Sequence, residues 1–259
     1  MLLLDPERRP VIAHRGNRAH APENTLVALT QAVALGADAV EFDVHLSRDG
    51  VPVVMHDETL DRTTDASGLV RERCAAELAA VDAGARFSAD GGQSFPYRGQ
   101  GIHVPTLEEA VSALPAAMPF ILELKTLEVA APALDTLDRL GVLDRVLVGS
   151  FVDAALLPFR DVGVPTSPGA RTLGRGYLGA LLGRRGGRVA HRALCIPRFH
   201  RGLPLPVAGF AAQMRAVGGP THVWTINEPA IASRLWARGV NGIITDDPAT
   251  MLSHRQAAA

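Results

Sequence analysis

The chain has 259 residues, 47% of them apolar and 5% aromatic, with a net charge of −1. That length suits one large α/β domain spanning residues 1–259, because eight strand-helix units need about 250 residues, and the aliphatic composition suits buried parallel strands. No run approaches the roughly 20 residues of a membrane span, and Cys74 and Cys195 share no metal-ligand spacing, which argues against a disulfide scaffold or Cys-ligated zinc. No nucleic-acid partner is expected.

At the N-terminus, Met1-Leu2-Leu3-Leu4 is stopped by Asp5, Pro6 and Glu7, too early for the apolar region of a signal peptide. The expectation is a cytoplasmic, reduced protein. Strands are predicted at Val11–His14, Ala39–His45, Phe120–Lys125, Val146–Ser150, Val164–Pro168, Leu194–Pro197, His222–Asn227 and Gly242–Thr245. Eight parallel strands alternating with helices close a (β/α)₈ barrel.

Helices are expected over Asn24–Leu35, after the cap Thr106, and over 128–140, 153–160 and 229–238, with Asn24 itself a plausible N-cap. Past the second strand, Asp49-Gly50 marks a tight turn, so Val51–His56 returns as a hairpin arm over the barrel mouth. Residues 84–105, rich in Gly, Ser and Pro, read as a lid or rim. Together these form a small hairpin and lid insertion near residues 45–105.

Charge inside the strands points to chemistry. Glu41 and Asp43 share one face, about 7 Å apart, and Glu123 and Lys125 repeat the arrangement. Each pair interrupts an apolar strand, where unpaired charge costs several kcal/mol. Three carboxylates converging on a barrel mouth suit one hard divalent cation, Mg²⁺ or Ca²⁺, whereas an internal salt bridge from Lys125 to a neighbouring carboxylate is the simpler alternative. Lys125 is the sole lysine beside 25 arginines. His14 and His56 each follow an apolar run at a strand end, so both face the cleft and could serve as acid and base. Arg15 and Lys125 suit phosphate oxygens.

These residues resemble the glycerophosphodiester phosphodiesterase family. The resemblance rests on Ala13-His14-Arg15-Gly16, Pro22-Glu23-Asn24-Thr25, Glu41-Phe42-Asp43-Val44, Val54-Met55-His56-Asp57, Leu60-Asp61-Arg62-Thr63-Thr64, Pro105-Thr106-Leu107-Glu108-Glu109, Glu123-Leu124-Lys125, Val223-Trp224-Thr225-Ile226-Asn227 and Ile244-Thr245-Asp246. It implies a TIM barrel, metal ligation by Glu41, Asp43 and Glu123, acid/base work by His14 and His56, phosphate contacts from Arg15 and Lys125, and substrate packing near Trp224. Glu23 and Asn24 follow as secondary site candidates. It also implies hydrolysis to glycerol 3-phosphate and an alcohol, by direct water attack or through a cyclic phosphate formed by the glycerol 2-hydroxyl. Within one strand Trp224 and Ile226 share a face, and the resemblance selects Trp224 for the cleft.

The alternatives are a lysophospholipase D-like or sphingolipid phosphodiesterase, and a non-catalytic phosphate-binding barrel. Six arginines between residues 171 and 192 could touch an anionic membrane surface, although a solvated helix and loop is the favoured reading. Gly174-Arg175-Gly176-Tyr177-Leu178-Gly179 spells a dinucleotide fingerprint, but no acidic residue follows near the ribose position, so the match is chance.

Overall fold

Apolar runs of four to eight residues, bounded by turns, give the parallel strands of the computed structural model, which describes residues 1–183, 191–200 and 202–257 and adds three shorter strands of two or three residues. They are β1 (Val11–His14), β2 (Ala39–Leu46), β3 (Pro52–Val54), β4 (Phe120–Leu124), β5 (Val146–Gly149), β6 (Leu194–Pro197), β7 (Phe199–His200), β8 (Leu203–Pro204), β9 (Thr221–Trp224) and β10 (Gly242–Thr245). Seven of these run parallel in the order β5-β4-β2-β1-β10-β9-β6, with helices outside. The result is a nearly closed barrel.

The eighth place is filled differently from the expected strand Val164–Pro168. Thr166 makes one parallel bridge to Val148, Ser167 N–H donates to the Val148 carbonyl at 2.8 Å, and Arg192 N–H donates to the Thr166 carbonyl at 3.2 Å. Pro165 and Pro168 have no N–H to donate, so the segment occupies the gap without sustaining a ladder.

Side chains alternate between two layers. Val40, Phe42 and Val44 of β2 face outward into a core with Phe120, Leu122 and the surrounding helices, where the Phe42 and Phe120 rings stack at 5.5 Å. Truncating either to Ala would cost about 3–5 kcal/mol. The inward residues at the bottom, Leu3, Ile12, Ala39, Ile121, Leu147 and Ile244, fill the barrel floor. The same alternation brings Glu41, Asp43 and Glu123 inward one step higher.

The arm β3 pairs antiparallel with β2 as expected, and Val53, Met55, Leu60, Val70, Leu78 and Val81 give the insertion its own small core. Residues 84–105 contain neither helix nor strand and are pinned to the rim: the Tyr97 hydroxyl donates to the His20 carbonyl at 3.1 Å and accepts from Gln31 Nε2 at 3.0 Å. A Cβ at Gly84 would lie 2.4 Å from the Tyr97 carbonyl oxygen, so only glycine allows that approach.

Helix boundaries move little, with two corrections of substance. The first helix runs Leu26–Ala34 and its N-cap is Thr25, whose hydroxyl accepts from Ala28 N–H; Asn24 is spent elsewhere. Residues 153–160 divide into a 3₁₀ turn, Asp153–Leu156, and a short helix, Leu157–Asp161. The glycine pattern 174–179 lies inside the helix Ala170–Leu181, with no phosphate-cradling loop. Arg184, Arg185 and Arg188 of the arginine-rich stretch lie outside the described residues. Among the described residues no helix is long and apolar enough to cross a membrane.

Candidate active site

The turn after β1 starts the site. Gly16 has φ +82°, and a Cβ there would lie 2.5 Å from the Ala28 backbone, so the chain can fold back only on glycine. Arg15 and Asn24 also take positive φ, 53° and 59°. This shape aims Arg15 N–H at Glu41 Oε2 (3.1 Å) and lets Asn24 Nδ2 donate to Asp43 Oδ2 (2.9 Å). Asn24 therefore orients an acid.

Glu41, Asp43 and Glu123 meet at the mouth, each offering a carboxylate oxygen within 4.8 Å of the others. Lys125 Nζ reaches Asp43 Oδ1 at 2.8 Å and Glu123 Oε1 at 2.5 Å, so the internal salt bridge weighed as the alternative is made. It does not balance the cluster. Arg15 Nε lies 3.1 Å from Asp43 Oδ2, but the N–H is not aligned on that oxygen and has no other acceptor. Burial raises the Glu41 carboxyl well above its usual range, and repulsion from Asp43 and Glu123 adds to this. Glu123 is also raised, by burial first. Burial acts on Asp43 in the same direction, yet Lys125 and Arg15 hold it at about 2. Two cations thus face three acids: Lys125 is shared between Asp43 and Glu123, Arg15 also serves Glu23, and Glu41 has the Arg15 backbone N–H but no lysine or arginine ion pair among the described residues, a set that fits a divalent cation.

Both histidines have carboxylate partners. His14 Nδ1 lies 2.7 Å from Asp246 Oδ1, and His56 Nδ1 lies 2.6 Å from Asp57 Oδ1. An ionised carboxylate only accepts, so each Nδ1 carries the proton and each Nε2 is left as the reactive lone pair. The Nε2 of His14 is 4.0 Å from Glu41 Oε2. Burial lowers the His56 imidazole, partly against the pull of Asp43. His45, beneath the arm, donates through Nε2 to the His56 carbonyl at 3.1 Å.

The two aspartates are joined through Glu23. Arg18 Nη1 donates to Asp246 Oδ1 (3.2 Å) and Arg18 Nε to Glu23 Oε2 (2.9 Å). Arg62 then donates to both Glu23 oxygens (2.9 and 2.7 Å) and, through Nε, to Asp57 Oδ2 (2.6 Å). Arg15 Nη1 adds a third guanidinium at 2.7 Å from Glu23 Oε1. Burial alone would raise Glu23, but the three arginines hold it far below the carboxylate range. Burial would likewise raise Asp246, yet its hydrogen bond to His14 helps keep it at about 2.

The mouth cavity gathers His14, Arg15, Glu41, His56, Glu123 and Lys125, with Trp224 on its wall. Asp43, Glu23 and Asn24 stand behind these. Trp224 and Ile226 do not share a face: β9 ends at Trp224, and Ile226 belongs to the outer core. Sequence reasoning gave no role to Asp57, Asp246, Arg18, Arg62 or Phe151, whose ring meets Trp224 edge-on at 6.0 Å. The signal for Asp57 was its adjacency to His56; for Asp246 it was a charge placed directly after β10.

The glycerophosphoryl diester phosphodiesterase family model matches residues 14–147 and 184–250. A glycerophosphodiester phosphodiesterase of Caldanaerobacter subterraneus is 34% identical over 94% of this chain and 96% of its own length. An Oleispira antarctica phosphodiesterase solved with the product sn-glycerol 3-phosphate superposes with a TM-score of 0.73 at 28% identity, covering 95% of this chain and 96% of its own. A glycerophosphoryl diester phosphodiesterase domain from Mycobacterium tuberculosis shares the fold, with a TM-score of 0.82 at 23% identity over 97% of this chain and all of that domain.

Proposed function

The chain belongs to the glycerophosphoryl diester phosphodiesterase family, and from that premise we propose that its mouth hydrolyses glycerophosphodiesters to glycerol 3-phosphate and an alcohol, using one divalent cation, Mg²⁺ or Ca²⁺. The observation that carries this reading is one cavity lined by Glu41, Glu123, Arg15, Lys125 and two aspartate-oriented histidines, with Asp43 directly behind the two acids. Glu41, Asp43 and Glu123 would hold the cation. When bound, it would neutralise charge on the phosphate and favour attack at phosphorus.

The remaining work falls to this chain's own groups. One histidine, neutral, takes the proton of the attacking hydroxyl through its free Nε2, and the other, in its imidazolium form with Nε2 also protonated, gives that proton to the departing alkoxide as its P–O bond breaks. Asp246 and Asp57 keep both rings turned with Nε2 inward. Lys125 spends two of its three N–H donors on Asp43 and Glu123, leaving one for a phosphate oxygen, and Arg15 has donors beyond the one given to Glu23. One acid/base group contributes about 10²- to 10⁴-fold, so histidines and fixed positive charge are needed together for an anionic diester. Trp224 and Phe151 offer an apolar wall for the alcohol or glycerol carbons.

The test is glycerol 3-phosphate release from glycerophosphocholine by metal-stripped protein, with Mg²⁺ or Ca²⁺ restored, beside His14→Ala and Glu41→Ala. Release that returns with metal and is lost in both variants is expected. Release that ignores metal, or that survives both substitutions, would overturn these roles; a phosphate-binding barrel without catalysis would release nothing.

A further inference from the structure

A second cavity, of 360 Å³, opens beside the mouth and shares Phe151, Ala170, Leu173 and Pro197 with it. Beyond that common wall it is bounded by Gly174, Tyr177, Leu203, Leu205 and Phe210, with His200 at one side. Among the described residues no carboxylate, guanidinium or ammonium lines it. The Tyr177 hydroxyl is turned away to the Pro204 carbonyl, 3.4 Å distant. A charged headgroup here would lose its hydration without finding a partner, whereas hydrocarbon would lose nothing. Phe151 and Leu203 stand 45% and 67% exposed, which leaves apolar surface to be covered.

Half of the cavity's lining lies where the family model has no match, while Pro197, His200, Leu203, Leu205 and Phe210 lie in its second matched segment. Phe151, Ala170, Leu173, Gly174 and Tyr177 all fall between residues 147 and 184, the stretch the family model leaves unmatched between its two segments. The acids and histidines of the mouth lie in the matched segments.

We propose that this cavity, an annex to the mouth, receives a hydrocarbon chain covalently attached to the phosphodiester whose phosphate sits in the mouth. The proposal rests on the phosphodiesterase reading of the mouth and narrows its substrates to single-chain amphiphiles. The chain can belong to the leaving alcohol or be an acyl group on the glycerol; the chemistry recognised is the same.

The experiment separates chain binding from turnover. Alkylphosphocholines of about six to about twelve carbons, kept below their micellar concentrations, are titrated into the metal-loaded protein by calorimetry. Each methylene should tighten binding about three- to fourfold until the annex is full. Gly174→Phe is the plugging variant: a Cβ at Gly174 meets nothing within 4 Å, so the ring enters open space, and Gly174 is not part of the mouth. Leu203→Asp, at an exposed position, is the second variant.

Both should flatten the chain-length dependence while glycerophosphocholine turnover stays at the wild-type rate. Equal affinity for all chain lengths in the wild type, or the same dependence in both variants, would overturn the proposal. Chain-dependent binding that Gly174→Phe abolishes, in a protein that hydrolyses no phosphodiester, would uphold the annex and refute the mouth. Glycerophosphoalkanols and lysophosphatidylcholines then form the two turnover arms: chain-dependent release of glycerol 3-phosphate from the first places the chain on the leaving alcohol, and chain-dependent release of choline from the second places it on the glycerol.

Discussion

Strand β9 carries His222 at the floor of the barrel and Trp224 at its mouth, and the two ends of the barrel obey opposite rules. At the floor, Leu3, Ile12, Ala39, Ile121 and Leu147 exclude water, and His222 is fully buried with Nε2 donating to the Leu3 carbonyl at 2.9 Å. Burial pushes that imidazole down to about 4, so it stays neutral. One step up the same strands, Glu41, Asp43 and Glu123 are crowded together with charge left unmet. The floor is closed and largely apolar, whereas the mouth crowds charged groups together at a site poised for a ligand.

Substitutions can break this contrast. The largest expected effect is at the mouth: His56→Ala should lower kcat about 10²- to 10⁴-fold while the melting temperature barely moves, checked by steady-state kinetics beside thermal denaturation. A large loss of stability would place His56 among the structural residues.

Acid should reveal the floor. His222 titrates near 6.5 when unfolded and at about 4 when folded. Between those values the unfolded chain binds a proton the fold refuses, so stability falls as pH drops from about 6.5 to about 4, by about 3 kcal/mol from this residue. His45, His56 and His191 are also held down by burial and add to the loss in the same direction as pH falls. His222→Gln should therefore reduce the slope of melting temperature against pH in that range without removing it.

Gly242→Ala sharpens the comparison from the packing side. A Cβ there would lie 2.2 Å from His222 Nδ1, so the ring must shift, at about 1–3 kcal/mol. The expected result is a lower melting temperature with kcat of the folded enzyme near wild type. The smallest effect should come from Glu23→Gln, which weakens the bridge between the two aspartates: about a tenfold fall in kcat with little change in KM. A change confined to KM would make Glu23 a substrate contact.

Much of this contrast was legible in sequence because a parallel strand has period two. Ala-Val-Glu-Phe-Asp-Val places Val40, Phe42 and Val44 on one face and the acids on the other, and the structure keeps that division. Thr106 reads as a helix cap, and the structure places it there, where Glu109 completes a capping box. What stayed illegible depends on turns and on distance along the chain. Thr25 rather than Asn24 caps the first helix because Asn24, at positive φ, is drawn to Asp43. The His14–Asp246 pair spans 232 positions, and no local pattern announces which carboxylate a ring will meet. Val164–Pro168 reads as a strand by its apolar residues, but Pro165 and Pro168 remove two ladder donors and leave a single bridge from Thr166 to Val148.

The most direct test of the mouth's central claim is a titration of metal-stripped protein with Mg²⁺ and Ca²⁺, reading heat of binding and glycerol 3-phosphate release together, in the wild type and in Glu41→Gln with Glu123→Gln. Binding of one cation per chain, release that rises with occupancy, and loss of both in the double variant are expected. Full release without a cation, or undiminished binding after both acids are neutralised, would contradict the assignment of Glu41, Asp43 and Glu123 as the metal site.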